Sequence, residues 1–119
     1  ADLYAADLQN GRIYEMSALN SDDAESYHSW SSNSRWLVFG TRRDDGLYTK
    51  AYFSYIDADG NAHKPFLLPQ KDPVRFYENN MYAYNIPEFV SGEVEYDGRE
   101  IAVFARKGKS RKLGYRKIR

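Results

Sequence analysis

The chain has 119 residues, with 11 Tyr, 6 Phe, 2 Trp and 29% charged side chains, a balance that fits one strand-rich globular domain and excludes a disordered chain. Without cysteine and with only two histidines, disulfides and thiol catalysis are excluded, and a structural zinc site nearly so. The net charge of zero hides an asymmetry: residues 106–119 hold eight of the 17 basic side chains and no acid, leaving nine bases against 17 acids, net −8, in the rest.

In chain order, Leu3 to Asp7 and Arg12 to Met16 predict a β-hairpin closed through Leu8-Gln9-Asn10-Gly11, with Asn-Gly as the turn signal. Ser17 to Tyr27 is a polar loop. A second hairpin is expected with strands near Tyr27 to Trp30 and Trp36 to Gly40, joined by Ser31 to Ser34. Asn33 is the residue of that turn that tolerates a positive φ. Thr41-Arg42-Arg43-Asp44-Asp45-Gly46 then turns the chain. Ala51 to Asp57 and Lys64 to Leu68 predict a third hairpin across Ala58-Asp59-Gly60-Asn61. Gly11 and Gly60 lie 49 residues apart, with Tyr4 and Phe53 at the same offset, so the first and third hairpins read as one repeat. One helical segment follows: Asp72 as cap, Pro73 in the first turn, and Val74 to Met81 ending before Asn85-Ile86-Pro87. Phe76, Tyr77 and Met81 are expected to face the sheet. Asp97-Gly98-Arg99-Glu100-Ile101-Ala102-Val103 repeats the pattern of Asn33 to Phe39 at an offset of 64 and predicts one more hairpin.

Motifs that would carry chemistry are weak. Asp57-Ala58-Asp59-Gly60-Asn61 opens like a calcium loop, but Ala62 and Leu68 stand where Gly and a bidentate Glu are needed, so a turn is the better reading. Gly108-Lys109-Ser110 ends like a P-loop, yet Val103 occupies the place of the first Gly. His28 beside Ser29 is adjacency only, because neighbouring side chains of a strand point to opposite faces, and there is no Gly-x-Ser-x-Gly elbow. His28 is read as a structural residue in a loop, and His63 as a solvated one. Arg42-Arg43-Asp44-Asp45 is either a loop-bracing network or a grip for carboxylates and sugar acids. Tyr48, Tyr52 and Tyr55 are either core residues or stacking platforms for sugars. No metal or cofactor is expected. No stretch approaches the roughly 18 apolar residues of a membrane span. No signal-peptide pattern opens the chain, and its start at Ala1 suits a processed or trimmed protein.

The run Trp30-Ser31-Ser32-Asn33-Ser34-Arg35-Trp36-Leu37-Val38-Phe39 resembles the signature hairpin of a TolB-type β-propeller blade, aromatic-Ser-Pro-Asp-Gly-basic-x-aliphatic-x-Phe. Ser32, Asn33 and Ser34 replace the usual Pro, Asp and Gly. The segments Asp22 to Trp30, Thr41 to Gly46, Lys64 to Pro73 and Tyr84 to Phe89 resemble the same family, so the likeness spans about residues 2–92. It implies an all-β fold: a partial β-propeller of antiparallel four-stranded, WD-like blades, about two in number, with a short helical insertion near residues 73–82. Residues 93–119 would add a further β-hairpin ending in a basic tail. A closed propeller needs roughly four to eight blades. The chain is therefore expected to be a C-terminal piece of a larger propeller, a proteolytic remnant, or a unit that completes itself by association.

The resemblance further implies a periplasmic or otherwise exported protein of a bacterial envelope that is not an enzyme. It would be a binding or scaffold module with a protein or glycan partner at the propeller rim, where Trp30, Arg42, Arg43, Asp44 and Asp45 are the candidates. The alternatives are the gating propeller of a prolyl-oligopeptidase-like serine hydrolase, or a small β domain whose basic tail (Arg106, Lys107, Lys109, Arg111, Lys112) binds nucleic acid. Nucleic acid is the disfavoured partner, since charge runs are usually solvated.

Overall fold

Two Gly-centred turns frame the computed structural model, which describes residues 1–108. Gly11 and Gly60 have φ of 71° and 84°, values that a residue with a Cβ adopts only under strain. Around Gly11, strands β1 (Tyr4–Ala6) and β2 (Ile13–Glu15) pair antiparallel as a two-stranded sheet. The Asp7 carboxylate ties that turn by accepting from the Gln9 N–H at 2.9 Å.

A four-stranded antiparallel meander follows: β3 (Glu25–Trp30), β4 (Trp36–Thr41), β5 (Lys50–Tyr55) and β6 (Phe66–Leu67), in spatial order β3-β4-β5-β6. Consecutive pairing needs only short connections, and the Asp57-to-Asn61 turn supplies one. There Asp57 Oδ1 accepts from the N–H groups of Asp59 at 3.0 Å and Asn61 at 2.9 Å. These bonds, led by that of Asn61, hold the Asp57 carboxyl below the usual range against the opposing effect of burial. The would-be calcium loop is thus an Asx-type turn.

Register divides the large sheet into two faces. Leu37, Phe39 and Thr41 of β4 lie beside Ser54, Tyr52 and Lys50 of β5, while Trp36, Val38 and Gly40 lie beside Tyr55, Phe53 and Ala51. The first face packs with the loops flanking β1 and β2: Leu3, Met16 and Leu19 meet Leu37, Phe39, Tyr52 and Ile56 in one buried core. Full burial of each such side chain contributes about 1.5–3 kcal/mol. This core lies within a unit spanning Ala1–Phe89.

Local details depart from expectation. β3 starts two residues earlier than predicted and carries a bulge between Ser26 and Ser29, where Tyr27 has φ of 50°. His28 therefore lies in a strand and not in a loop. In the signature turn the positive φ belongs to Ser34, at 55°, and not to Asn33. Asn33 braces the turn instead, its Oδ1 accepting from the Ser31 hydroxyl at 2.7 Å and the Arg35 N–H at 3.1 Å. Helix α1 (Pro73–Asn79) has the expected cap, Asp72 Oδ1 accepting from the Arg75 N–H at 3.2 Å. It ends before Met81 because Asn80 is extended and accepts from the Tyr82 N–H through its side chain. Met81 is 74% exposed and does not face the sheet.

A second unit, Val90–Arg119, contains helix α2 (Gly98–Lys107) where a further hairpin was expected. The fold is accordingly mostly β, with two antiparallel sheets and two short helices among the described residues. Asp-Gly serves as a helix start as readily as a hairpin turn, and here Asp97 Oδ1 accepts from the Arg99 N–H at 2.9 Å. Glu100 in the first turn and Arg106 and Lys107 in the last complement the helix dipole. Ile101 and Phe104 fall at helical spacing.

Candidate functional site

The loop between β4 and β5 gathers four of the five rim candidates, and the structure shows what each charge does. Arg43 reaches back under the loop to Glu25, at 3.0 Å from its Oε1, and donates to the Leu19 carbonyl. Its guanidinium lies 5.0 Å from the Tyr52 ring centroid and 5.5 Å from that of Phe39. Glu25 is buried; its Oε1 also accepts from Ser21 Oγ at 2.5 Å and Thr41 Oγ1 at 3.2 Å. Among the described residues, Glu25 Oε2 has no partner.

The neighbouring charges are likewise paired. Arg42 meets Asp23 at 3.1 Å, and the Asp23 carboxyl is held low chiefly by the Ala24 N–H, with burial opposing and Arg42 assisting. Lys50 bridges Asp44 at 3.2 Å and Asp45 at 3.1 Å. Burial pushes the Lys50 ammonium down, but its bonds to these two carboxylates prevail and raise it. The N–H groups of Tyr48 and then Leu47 hold the Asp45 carboxyl at about 2. Tyr52 donates its hydroxyl to Asp44, and burial followed by that bond raises its ionisation well above the usual tyrosine range. Arg42, Arg43, Asp44 and Asp45 thus form a brace that fixes the loop to the sheet, with Arg42 the most exposed of the paired cations.

Trp30 is not part of this cluster. It pairs with Leu37 at the turn end of β3, whereas Glu25 pairs with Thr41 at the loop end. The two ends are separated by the length of β4, about 17 Å. There Trp30 lines a hollow of about 340 Å³ with Tyr4, Met16 and His28. His63 sits 3.5 Å from Asp57 and edge-on to Tyr55 at 5.5 Å. Arg106 and Lys107 form the last turn of α2. Lys109, Arg111 and Lys112 lie outside the described residues.

A different concavity, of about 720 Å³, lies around α1. Arg75, Phe76 and Asn79 of the helix form one wall, and Asn80, Tyr82 and Tyr84 another. Gln70 and Lys71 lie at its rim. Three contacts tie this region to the large sheet and the residues flanking it: the Tyr84 N–H donates to the Thr49 carbonyl at 2.8 Å, the Tyr77 hydroxyl to the Leu68 carbonyl at 2.5 Å, and Lys50 of β5 stands 5.7 Å from the Tyr77 ring centroid. Asn80 Nδ2 donates to the Tyr84 hydroxyl at 2.9 Å and positions that ring. The sequence signal for this cleft was the density of amides and aromatics in Asn79-Asn80-Met81-Tyr82-Ala83-Tyr84-Asn85, which hairpin reasoning passes over. Set against known proteins, the chain matches no family model, no curated protein and no solved structure.

Proposed function

We propose that the chain is a non-catalytic binding or scaffold module, part of a TolB-like β-propeller exported to a bacterial envelope, presenting its loops to a protein or glycan partner. The observation that supports this reading is the second face of the large sheet. Tyr84 to Phe89 covers one end of it: the Tyr84 and Asn85 carbonyls lie over Gly40, and Phe89 packs 5.8 Å from Phe53. The other end carries Trp36, Tyr55 and Phe66, which remain 37%, 38% and 44% exposed. Trp36 stands edge-on to both, at 5.4 and 6.2 Å.

A sheet that borders solvent alternates apolar and polar residues, whereas a sheet sandwiched between others is apolar on both faces. Strands β4 and β5 carry apolar residues on both faces, Leu37, Phe39 and Tyr52 on one and Trp36, Val38, Phe53 and Tyr55 on the other, which supports the blade reading. The paired charges brace a loop, which suits a rigid scaffold.

Hydroxyl-radical footprinting of the protein in its natural assembly tests this. Trp36, Tyr55 and Phe66 are each expected to be labelled more slowly in that assembly than in the isolated 119-residue chain. Labelling of all three at the same rate in both would refute the blade reading.

A further inference from the structure

The cleft around α1 presents side chains that the sheet-face argument does not use, and their chemistry points to a class of ligand. Tyr82 is 76% exposed, and its side chain makes no hydrogen bond among the described residues. Phe76 and Tyr84 present two further half-exposed rings to the same concavity. Rings of this kind offer flat apolar surface beside polar groups, which matches the C–H face and hydroxyl edge of a pyranose. Asn79 donates Nδ2 to the Arg75 carbonyl at 2.8 Å, which orients the amide and leaves its oxygen as an acceptor.

Charge narrows the class. Lys71 and Arg75 border the cleft, and among the described residues neither makes an ion pair. Asp72 is the one carboxylate in the lining among the described residues, and it accepts from the Arg75 N–H, so two cations stand against one anion. The cleft is therefore locally cationic on a body whose first 105 residues have a net charge of −8. Two donor-rich cations lining the same concavity as three aromatic rings suit a carboxylated ligand. An extended acidic peptide gains most of its affinity from main-chain pairing at a strand edge, and no lining residue belongs to a strand. The volume falls within the range usual for small-ligand sites, about 300–1,000 Å³.

We propose that this cleft binds a short acidic oligosaccharide, with Tyr82 as the stacking platform, Arg75 and Lys71 on the sugar carboxylates, and Asn79 on a hydroxyl. The site is independent of whether the sheet is a propeller blade.

The test is an NMR titration of the 119-residue chain with trigalacturonate, using cellotriose as the neutral sugar and triglutamate as the acidic non-sugar. Trigalacturonate is expected to shift signals of residues 70–84 saturably, and the other two probes to bind about tenfold more weakly. Arg75→Gln and Tyr82→Ala are each expected to lower that affinity about fivefold or more, while signals from Leu37 and Phe39 in the core stay in place. Both side chains are exposed and make no hydrogen bond or ion pair among the described residues, so both variants remain interpretable. Equal binding of triglutamate, shifts centred outside the cleft, undiminished binding by both variants, or no saturable shift would each overturn the proposal.

Discussion

Replacing Arg43 with Met tests whether the charged loop is held by a buried ion pair. Arg43 Nη2 is 3.0 Å from Glu25 Oε1, and the Glu25 side chain is fully buried, its second oxygen unpartnered among the described residues. In Arg43→Met the carboxylate would keep only the Ser21 and Thr41 hydroxyls. Two unit charges about 4 Å apart attract by about 4 kcal/mol at an effective dielectric of 20. Removing one partner of a buried pair costs about 3–5 kcal/mol, because the remaining charge is left in a poor solvent. Met retains much of the contact with Phe39 and Tyr52, so the loss is chiefly electrostatic and is expected at about 3–4 kcal/mol. Against a typical domain stability of about 5–15 kcal/mol, that is a large share. Urea unfolding followed by tryptophan fluorescence reads it directly. The double variant Glu25→Gln with Arg43→Met removes the stranded charge and is expected to recover about half of the loss or more. A loss below about 1 kcal/mol, or a double variant no better than Arg43→Met, would refute the buried-pair account.

Three further outcomes are expected. Ser34→Gly relieves a left-handed backbone that costs a residue with a Cβ about 1–2 kcal/mol, offset by unfolded-state entropy of about 0.4–1 kcal/mol, for a net gain near 0.5 kcal/mol in urea unfolding; a loss would sink the turn assignment. Gly40→Ala places a Cβ 2.8 Å from Thr49 Cγ2 and 3.4 Å from the Tyr84 carbonyl, so it is expected to cost about 1–2 kcal/mol and to speed hydrogen exchange at the Tyr84 amide, which donates to Thr49. Asp45, held at about 2 from an ordinary 3.8, contributes stability in full above the ordinary value and loses it as pH falls toward 2. The urea midpoint of the parent chain should therefore fall more steeply below pH 4 than that of Asp45→Asn, and identical slopes would contradict this.

What was legible in the sequence was local. Asn10-Gly11, Asp57 to Asn61 and Asp72-Pro73 each fix their own backbone through bonds spanning a few residues, and their turns and cap stand where the residue types place them. The bulge at Tyr27 was hidden because it depends on how β3 meets β4, which no single segment encodes. Ser34 adopts the positive φ because Ser31 and Asn33 close the turn around it, and that overrides the stronger intrinsic preference of Asn33. Asp97-Gly98 was ambiguous in principle, since one dipeptide starts hairpins and helices alike. The α1 cleft escaped notice because Gln70 and Tyr84 come together only when Tyr84 is tied to Thr49 and Tyr77 to Leu68.

The same distinction separates charge that binds from charge that braces. Arg42 to Asp45 is the densest charge cluster in the first 90 residues, yet its partners come from Asp23, Glu25, Lys50 and Tyr52, spread along the chain. Exchanging those partners for a ligand would strand Glu25 in the core, so Arg43 is a poor candidate for a reversible contact. Arg75 carries the same charge with none of that obligation, because its backbone N–H, not its guanidinium, meets Asp72. Ligand contact at Arg75 would desolvate one surface cation and break no internal pair. The cost of freeing each side chain, more than local charge density, therefore favours the α1 cleft over the β4–β5 loop as the place where an anionic ligand would bind.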